Sequence, residues 1–185
     1  EYTLLDEQKV IAEAIKWEAK QAFTNNQKSV VIVSGGPGTG KSVLAINLLG
    51  ELLKLGLMGA YVSKNMAPRK VYKNSLVYNN EVSIHELFKS SGYFFRDQEN
   101  KYDFLLVDEA HRLQEKSGVH YNIGENQIKE IIHASKLTVF FVDEAQMITL
   151  KDIGTISNIK YFAKLAHAKI LEYKLYNIRI VFFNF

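Results

Sequence analysis

Cysteine is absent from this chain of 185 residues, which excludes disulfide bridges and thiolate-ligated metals and fits a reducing cytoplasm. No run reaches the roughly eighteen uncharged apolar residues that a membrane-spanning helix needs. No secretory signal pattern is readable after Glu1. The net charge is only +3, too small to argue for a nucleic-acid partner by itself, so only local clusters of cations could. Internal repeats, low-complexity tracts and linkers are missing too. Residues 1–185 therefore read as one α/β domain, with 47% apolar residues to build its core.

What is present centres on Gly35-Gly36-Pro37-Gly38-Thr39-Gly40-Lys41-Ser42. This has the spacing of a phosphate-binding loop. Its context fits: the β-branched run Ser29 to Val33 reads as a buried parallel strand, and Val43 to Leu49 as a helix. The glycines let successive backbone N–H groups curl around one anion, and the helix adds the positive end of its dipole. Lys41, read as an exposed loop cation, is the expected contact to the β- and γ-phosphates, and the Ser42 hydroxyl the expected Mg²⁺ ligand.

A second chemical element is Tyr102 to Val107, an apolar strand that ends in Asp108-Glu109-Ala110-His111. In parallel sheets the carboxyl ends of strands face the ligand crevice. Asp108 is expected to hold Mg²⁺, and Glu109 to orient or deprotonate the attacking water. Arg112 reads either as a phosphate-side cation or as a partner for a carboxylate. Leu137 to Val142 is a further strand, and it ends in the near copy Asp143-Glu144-Ala145-Gln146. Which pair holds the metal is therefore open. We take Asp108 and Glu109, which leaves Gln146 as a sensor of the γ-phosphate or water.

The remaining elements follow from periodicity. Thr3 to Phe23 reads as an amphipathic helix capped by Thr3 or Asp6. Gln8 in its first turn reads alone as a solvated helix residue, although its amide could read an adenine edge. Gly59 to Ser63 is the second strand, with Gly56 stopping the helix before it. Lys64, Arg69, Lys70 and Lys73 then form a cationic cluster with Tyr72, Pro68 starting a helix there. On charge alone that cluster fits a solvated face and a nucleic-acid grip equally. His85, in a short helix after Val82, reads by itself as a packed or capping histidine. Ser90 to Lys101 reads as a polar excursion and residues 114–126 as loop. Glu125 to Ala134 and Lys151 to Ala168 read as helices, and Ile170 to Leu175 as a last strand.

Together these motifs resemble the first RecA-like domain of superfamily 1 helicases, and more closely the bacterial Schlafen-like DNA/RNA helicase domain family. The residues that carry the resemblance are Gly35 to Ser42, Ala60 to Asn65, Leu105 to His111 and Phe140 to Gln146. It spans Gln8 to about Arg179. The resemblance implies a three-layer RecA-like P-loop NTPase with a mainly parallel sheet, in which the Gln146 strand lies between the phosphate-loop strand and the Asp108 strand. It implies that Gln8 reads adenine, although Leu5 stands where a polar cap is usual. It implies that Lys64, Asn65 and His85 touch single-stranded nucleic acid, which favours the same role for Arg69, Lys70 and Lys73. Tyr176-Asn177-Ile178-Arg179 approximates the Gln-aromatic-Arg element of such helicases, and makes Arg179 a candidate γ-phosphate contact. The resemblance also implies a second RecA-like domain, expected in the full-length protein, and the aromatic end Val181 to Phe185 reads as a truncation.

The expected function is an ATP- and Mg²⁺-dependent motor domain, slow when isolated. The alternative is an ATP-gated switch that controls a protein partner and has no nucleic-acid role. A GTPase is disfavoured because no Asn-Lys-x-Asp guanine-reading segment occurs. A small-molecule kinase is disfavoured because no Arg-rich lid is readable.

Overall fold

A computed structural model describes residues 4–64, 84–118, 122–147, 149 and 151–176, with the backbone alone at 84 and 85. Asn65, Arg69, Lys70, Lys73 and Arg179, and the helix start read at Pro68, lie outside the described residues. Of His85, only its place in a short helix can be stated.

Strands β1 (Ser29–Gly35), β2 (Gly59–Val62), β3 (Phe88–Lys89), β4 (Tyr102–Val107), β5 (Ser135–Val142) and β6 (Lys169–Leu175) form one sheet. Their order is β3-β2-β4-β5-β1-β6, and every pairing is parallel. β5 sits between β1 and β4, so this is the three-layer RecA-like P-loop NTPase fold. All-parallel sheets need cover on both faces, and their strands read as apolar runs rather than alternations. Helices α1 (Asp6–Asn25) and α2 (Lys41–Lys54) cover one face, packing Ile15, Ala19, Leu44 and Leu48 on Val31, Val33, Phe104 and Phe141. α4 (Gln127–Ala134) and α5 (Ile156–Leu165) cover the other, where Ile128, Ile131 and Ile159 meet Val30, Ile32, Leu105 and Phe140. The short α3 (Ile84–Leu87) leads directly into β3.

Local chemistry sets the boundaries, and in four places moves them from the sequence expectation. α1 is not capped by Asp6, and Thr3 lies outside the described residues: Leu5 holds the N-cap position, and Gln8 in the first turn accepts from its N–H at 3.0 Å. α4 starts at Gln127 because the Asn126 side chain accepts from the N–H groups of Ile128 and Lys129. α5 starts at Ile156, behind a Thr155 cap, rather than at Lys151. Residues 151–155 instead run along the turn after β4, with Ile153 N–H donating to Leu113 O at 2.8 Å. The excursion after Ser90 is not simply polar. It winds a 3-10 turn, Ser91–Arg96, that buries Phe94 against Tyr102.

At the opposite end of the sheet from the phosphate loop, α4 passes into β5 with no loop between them. That corner leaves carbonyls without ladder partners, a cost if they stay unpaired. Lys28 meets them. Its ammonium donates to Ile132 O at 2.8 Å, Ser135 O at 2.7 Å and Asn100 Oδ1 at 2.5 Å. Burial pushes its pKa down to about 8, against the attraction of Glu99. Glu18 does similar work for α1, accepting from Ser29 Oγ and Lys169 Nζ, each at 2.7 Å. Replacing Lys28 with Met is expected to lower unfolding stability by about 1–3 kcal/mol, because the corner carbonyls lose their donor. A urea denaturation series at neutral pH measures this.

Candidate functional site

The carboxyl ends of β1, β4 and β5 lie together on one edge of the sheet, and each leads into a turn that carries polar groups. After β1 the loop passes through Gly38 and Gly40, both at positive φ, and enters α2 at Lys41. Gly40 is required twice over. Its φ of +81° disfavours an L side chain, and a Cβ there would lie 2.3 Å from Gln8 Nε2. No acidic residue sits in the first turn of α2, so no carboxylate of that turn neutralises the positive end of its dipole.

Lys41 was expected as an exposed loop cation, and this needs correction. It is the first residue of α2 and its side chain is 12% exposed. Its ammonium donates to Gly35 O and Gly36 O, both at 2.7 Å, and pairs with Asp143 Oδ2 at 3.4 Å. The lysine thus braces the loop it belongs to. Gln8 also departs from its solvated reading, being 5% exposed. Its Nε2 donates to Thr39 O at 3.0 Å while Oε1 caps α1, so the amide ties the first helix to the phosphate loop.

The two Asp-Glu turns separate in space. Asp108 Oδ2 accepts from Ser42 Oγ at 2.6 Å and also from the Tyr61 hydroxyl, while Oδ1 accepts from Glu109 N–H at 2.9 Å. Asp143 instead faces Lys41. Glu109 has φ +50° and ψ +41°, left-handed for a residue that has a Cβ; such backbone costs energy and concentrates at functional turns. Its carboxylate is 3.6 Å from Arg112, so Arg112 pairs with a carboxylate. Glu144 Oε1 accepts from Ile156 N–H at 2.9 Å, which joins the second turn to the start of α5. Gln146 ends that 3-10 turn, exposed. Lys64 follows β2 at intermediate exposure.

Three contributors were not read from the sequence as part of the site. Tyr61 was read only as a strand residue. His111 is 2% exposed, and its Nδ1 accepts from Asp143 N–H at 3.3 Å, which ties the turn after β4 to the end of β5. Desolvation holds its imidazole below the ordinary histidine range, against the pull of Glu109 and Asp143. Gly154 is the third. A Cβ there would lie 1.7 Å from Ala110 O, so only glycine lets residues 151–155 cover the Asp108 turn. The Gly in a stretch otherwise read as helix was the available signal.

The oxygens of Ser42 and Asp108 already converge, and both are hard donors of the kind Mg²⁺ takes, so the residues fit that ion. Among the described residues, no three His, Cys, Asp or Glu side chains form a metal cage. None of the described helices is long and apolar enough to cross a membrane.

Comparison with known proteins gives a family match. The description of a family named Schlafen group 3, DNA/RNA helicase domain, fits residues 28–179. A UPF0273 protein of Thermotoga maritima is 27% identical over 129 residues, 64% of this chain and 52% of its own length. UPF0273 protein PH0284 of Pyrococcus horikoshii is 37% identical over 60 residues, 32% of this chain and 24% of its own. The chain thus spans about half the length of the first of these relatives and less of the second. Among solved structures, AMPPCP-bound DnaA from Aquifex aeolicus is similar at 14% identity and a TM-score of 0.44, covering 93% of this chain and 48% of that one. The Pyrococcus furiosus Hef helicase domain is similar at 13% identity and a TM-score of 0.48, covering 93% and 40%.

The histidine supplies a pH test. Because the folded pKa of His111 is depressed, its contribution to stability is complete above the ordinary value of 6.5 and is lost as pH falls through the folded value. Between about pH 7 and pH 5, the wild type is expected to lose more thermal stability than His111→Phe, which cannot titrate. Melting curves of both proteins across that range check it.

Proposed function

The chain belongs to the Schlafen group 3, DNA/RNA helicase domain family, and from that premise we propose that it is the ATP-binding and ATP-hydrolysing half of a nucleic-acid motor. One observation carries this reading: the Ser42 hydroxyl of the phosphate loop is bonded to the Asp108 carboxylate at 2.6 Å, while Lys41 of the same loop faces Asp143. The proximity of the phosphate loop, the Asp108 carboxylate and the neighbouring β5 tip supports this reading, because an NTP-hydrolysing site requires such groups together.

In this reading the N–H groups of residues 35–42 and the start of α2 receive the triphosphate. Lys41 exchanges the Gly35 and Gly36 carbonyls for phosphate oxygens, so that a cation held against its own loop is released to the substrate. Ser42 and Asp108 hold Mg²⁺, which when bound neutralises charge on the β- and γ-phosphates. Glu109 accepts a proton from the attacking water, and Gln146, exposed on the β5 turn, orients that water or touches the γ-phosphate. Gln8 can read adenine only by giving up one of its present bonds, which would couple base recognition to the loop. Single-stranded DNA or RNA is the proposed second partner, held by Lys64, Asn65, Arg69, Lys70, Lys73 and His85. Hydrolysis in motors of this kind draws on an arginine from another domain worth about a thousandfold or more in rate. A second RecA-like domain is the candidate source of that arginine, and Arg179 of this chain is a candidate γ-phosphate contact.

Two measurements test this. Glu109→Gln is expected to bind ATP with unchanged affinity and to lose hydrolysis, whereas Glu144→Gln keeps hydrolysis; the reverse outcome assigns the base to the β5 turn. Reversing the charges of Lys64, Arg69, Lys70 and Lys73 is expected to weaken single-strand binding and flatten its salt dependence. If the wild type binds no single strand even at low salt, the protein is better described as a nucleotide-gated switch.

A further inference from the structure

Tyr61 lies in β2, outside the phosphate loop and outside both Asp-Glu turns, yet its hydroxyl donates to the Asp108 oxygen that Ser42 also uses. We propose that Tyr61 is a positioning residue that sets the affinity of the site for Mg²⁺. This rests on the nucleotide-site reading above and adds to it a side chain that holds the metal carboxylate in place.

The backbone explains how a residue on another strand reaches that carboxylate. In the β2–β4 register Tyr61 is opposite Leu106 and Val62 is opposite Val107, while Asp108 N–H donates to Val62 O at 2.9 Å. Asp108 is thus two residues further along β4 than the residue opposite Tyr61, on the same face of the strand. Two residues along a strand span about 6–7 Å, a distance that suits the length of a tyrosine and no shorter hydroxyl side chain. The ring is 1% exposed and cannot swing to solvent. On its outer side it packs on Phe88, its register partner in β3, with centroids 5.5 Å apart.

The consequence for Asp108 is a single orientation. With Oδ1 bonded to Glu109 N–H and Oδ2 to Tyr61 and Ser42, the carboxylate cannot rotate without breaking a bond in a site where it is itself 6% exposed. The Ser42 hydroxyl, with lone pairs as well as a proton, could ligate the metal and still donate to Asp108, while the Tyr61 phenol donates to the same carboxylate from a neighbouring strand. A donor fixed on a metal-binding carboxylate from outside the ligand set is worth roughly 10- to 100-fold in metal affinity. A tyrosine that merely satisfied itself in the core would affect stability and leave metal binding unchanged.

The test uses the whole chain and a fluorescent ATP analogue, titrated first in EDTA and then with rising Mg²⁺, together with a melting curve for each variant. Tyr61→Phe keeps the ring and removes the hydroxyl. It is expected to bind the analogue in EDTA as the wild type does and to need roughly tenfold more Mg²⁺ or greater for half-saturation. An unchanged Mg²⁺ requirement would overturn the role of Tyr61 while leaving the nucleotide-site reading standing. A wild type whose nucleotide binding does not respond to Mg²⁺ would overturn both. If Tyr61→Phe fails to fold, Phe88→Leu loosens the ring and keeps the hydroxyl; it is expected to raise the Mg²⁺ requirement by a smaller factor, and no rise would count against the proposal.

Discussion

The contact between the Ser42 hydroxyl and the Asp108 carboxylate is the constraint around which the site is built. It joins the first turn of α2 to the tip of β4, two strands away from β1 in the sheet. Nothing local could bring those atoms together, since they are sixty-six residues apart in the chain. They meet because every strand of the sheet runs the same way, so that all carboxyl ends lie on one edge. Interposing β5 between β1 and β4 adds a third tip, and Asp143 on that tip gives Lys41 a partner.

The site as it stands is tightly self-bonded. Lys41 is spent on loop carbonyls and Asp143, Gln8 on Thr39 and Leu5, and Asp108 on three donors. Charged groups this close to burial would be costly without partners, and here they partner one another. In the proposed function, a triphosphate with its cation would offer the same groups stronger charge-assisted bonds. Binding is then an exchange of bonds between fixed elements. Its energetic side is a contest between the carbonyls of Gly35 and Gly36 and the phosphate oxygens for one ammonium.

Several supports of the site lie far from it in sequence and carry no motif. Gly154 is needed because the segment before α5 presses on the Ala110 carbonyl. His111 is needed because the end of β5 offers an N–H to a buried ring nitrogen. Both belong to the packing between the β4 turn and its neighbours. Residues 151–155 looked helical in the sequence because the helical spacing of Ile156, Ile159, Phe162, Ala163 and Ala166 was carried back to them. Periodicity cannot register that a Thr155 cap starts the helix late and that an extended stretch is needed as cover. Lys41 was misread for a related reason. A loop lysine next to glycines reads as solvent-facing until the carbonyls curled behind it are seen.

The succession of the helices and of every strand but the two-residue β3, the phosphate loop and the two strand-end carboxylate turns were legible in the residues, because glycine spacing, β-branched runs and strand-end acids each have a local physical cause. The partners of the two carboxylate turns were not legible, since Asp108-Glu109-Ala110 and Asp143-Glu144-Ala145 are the same three residues after similar strands. Strand order separates them: β5 adjoins β1 and sets its aspartate against the lysine, whereas β4 lies one strand further out and sets its aspartate against the serine and the tyrosine of β2. Sequence specifies which groups are available, through short-range chemistry. Which of them meet is decided by long-range pairing of strands, and a linear pattern carries no measure of that.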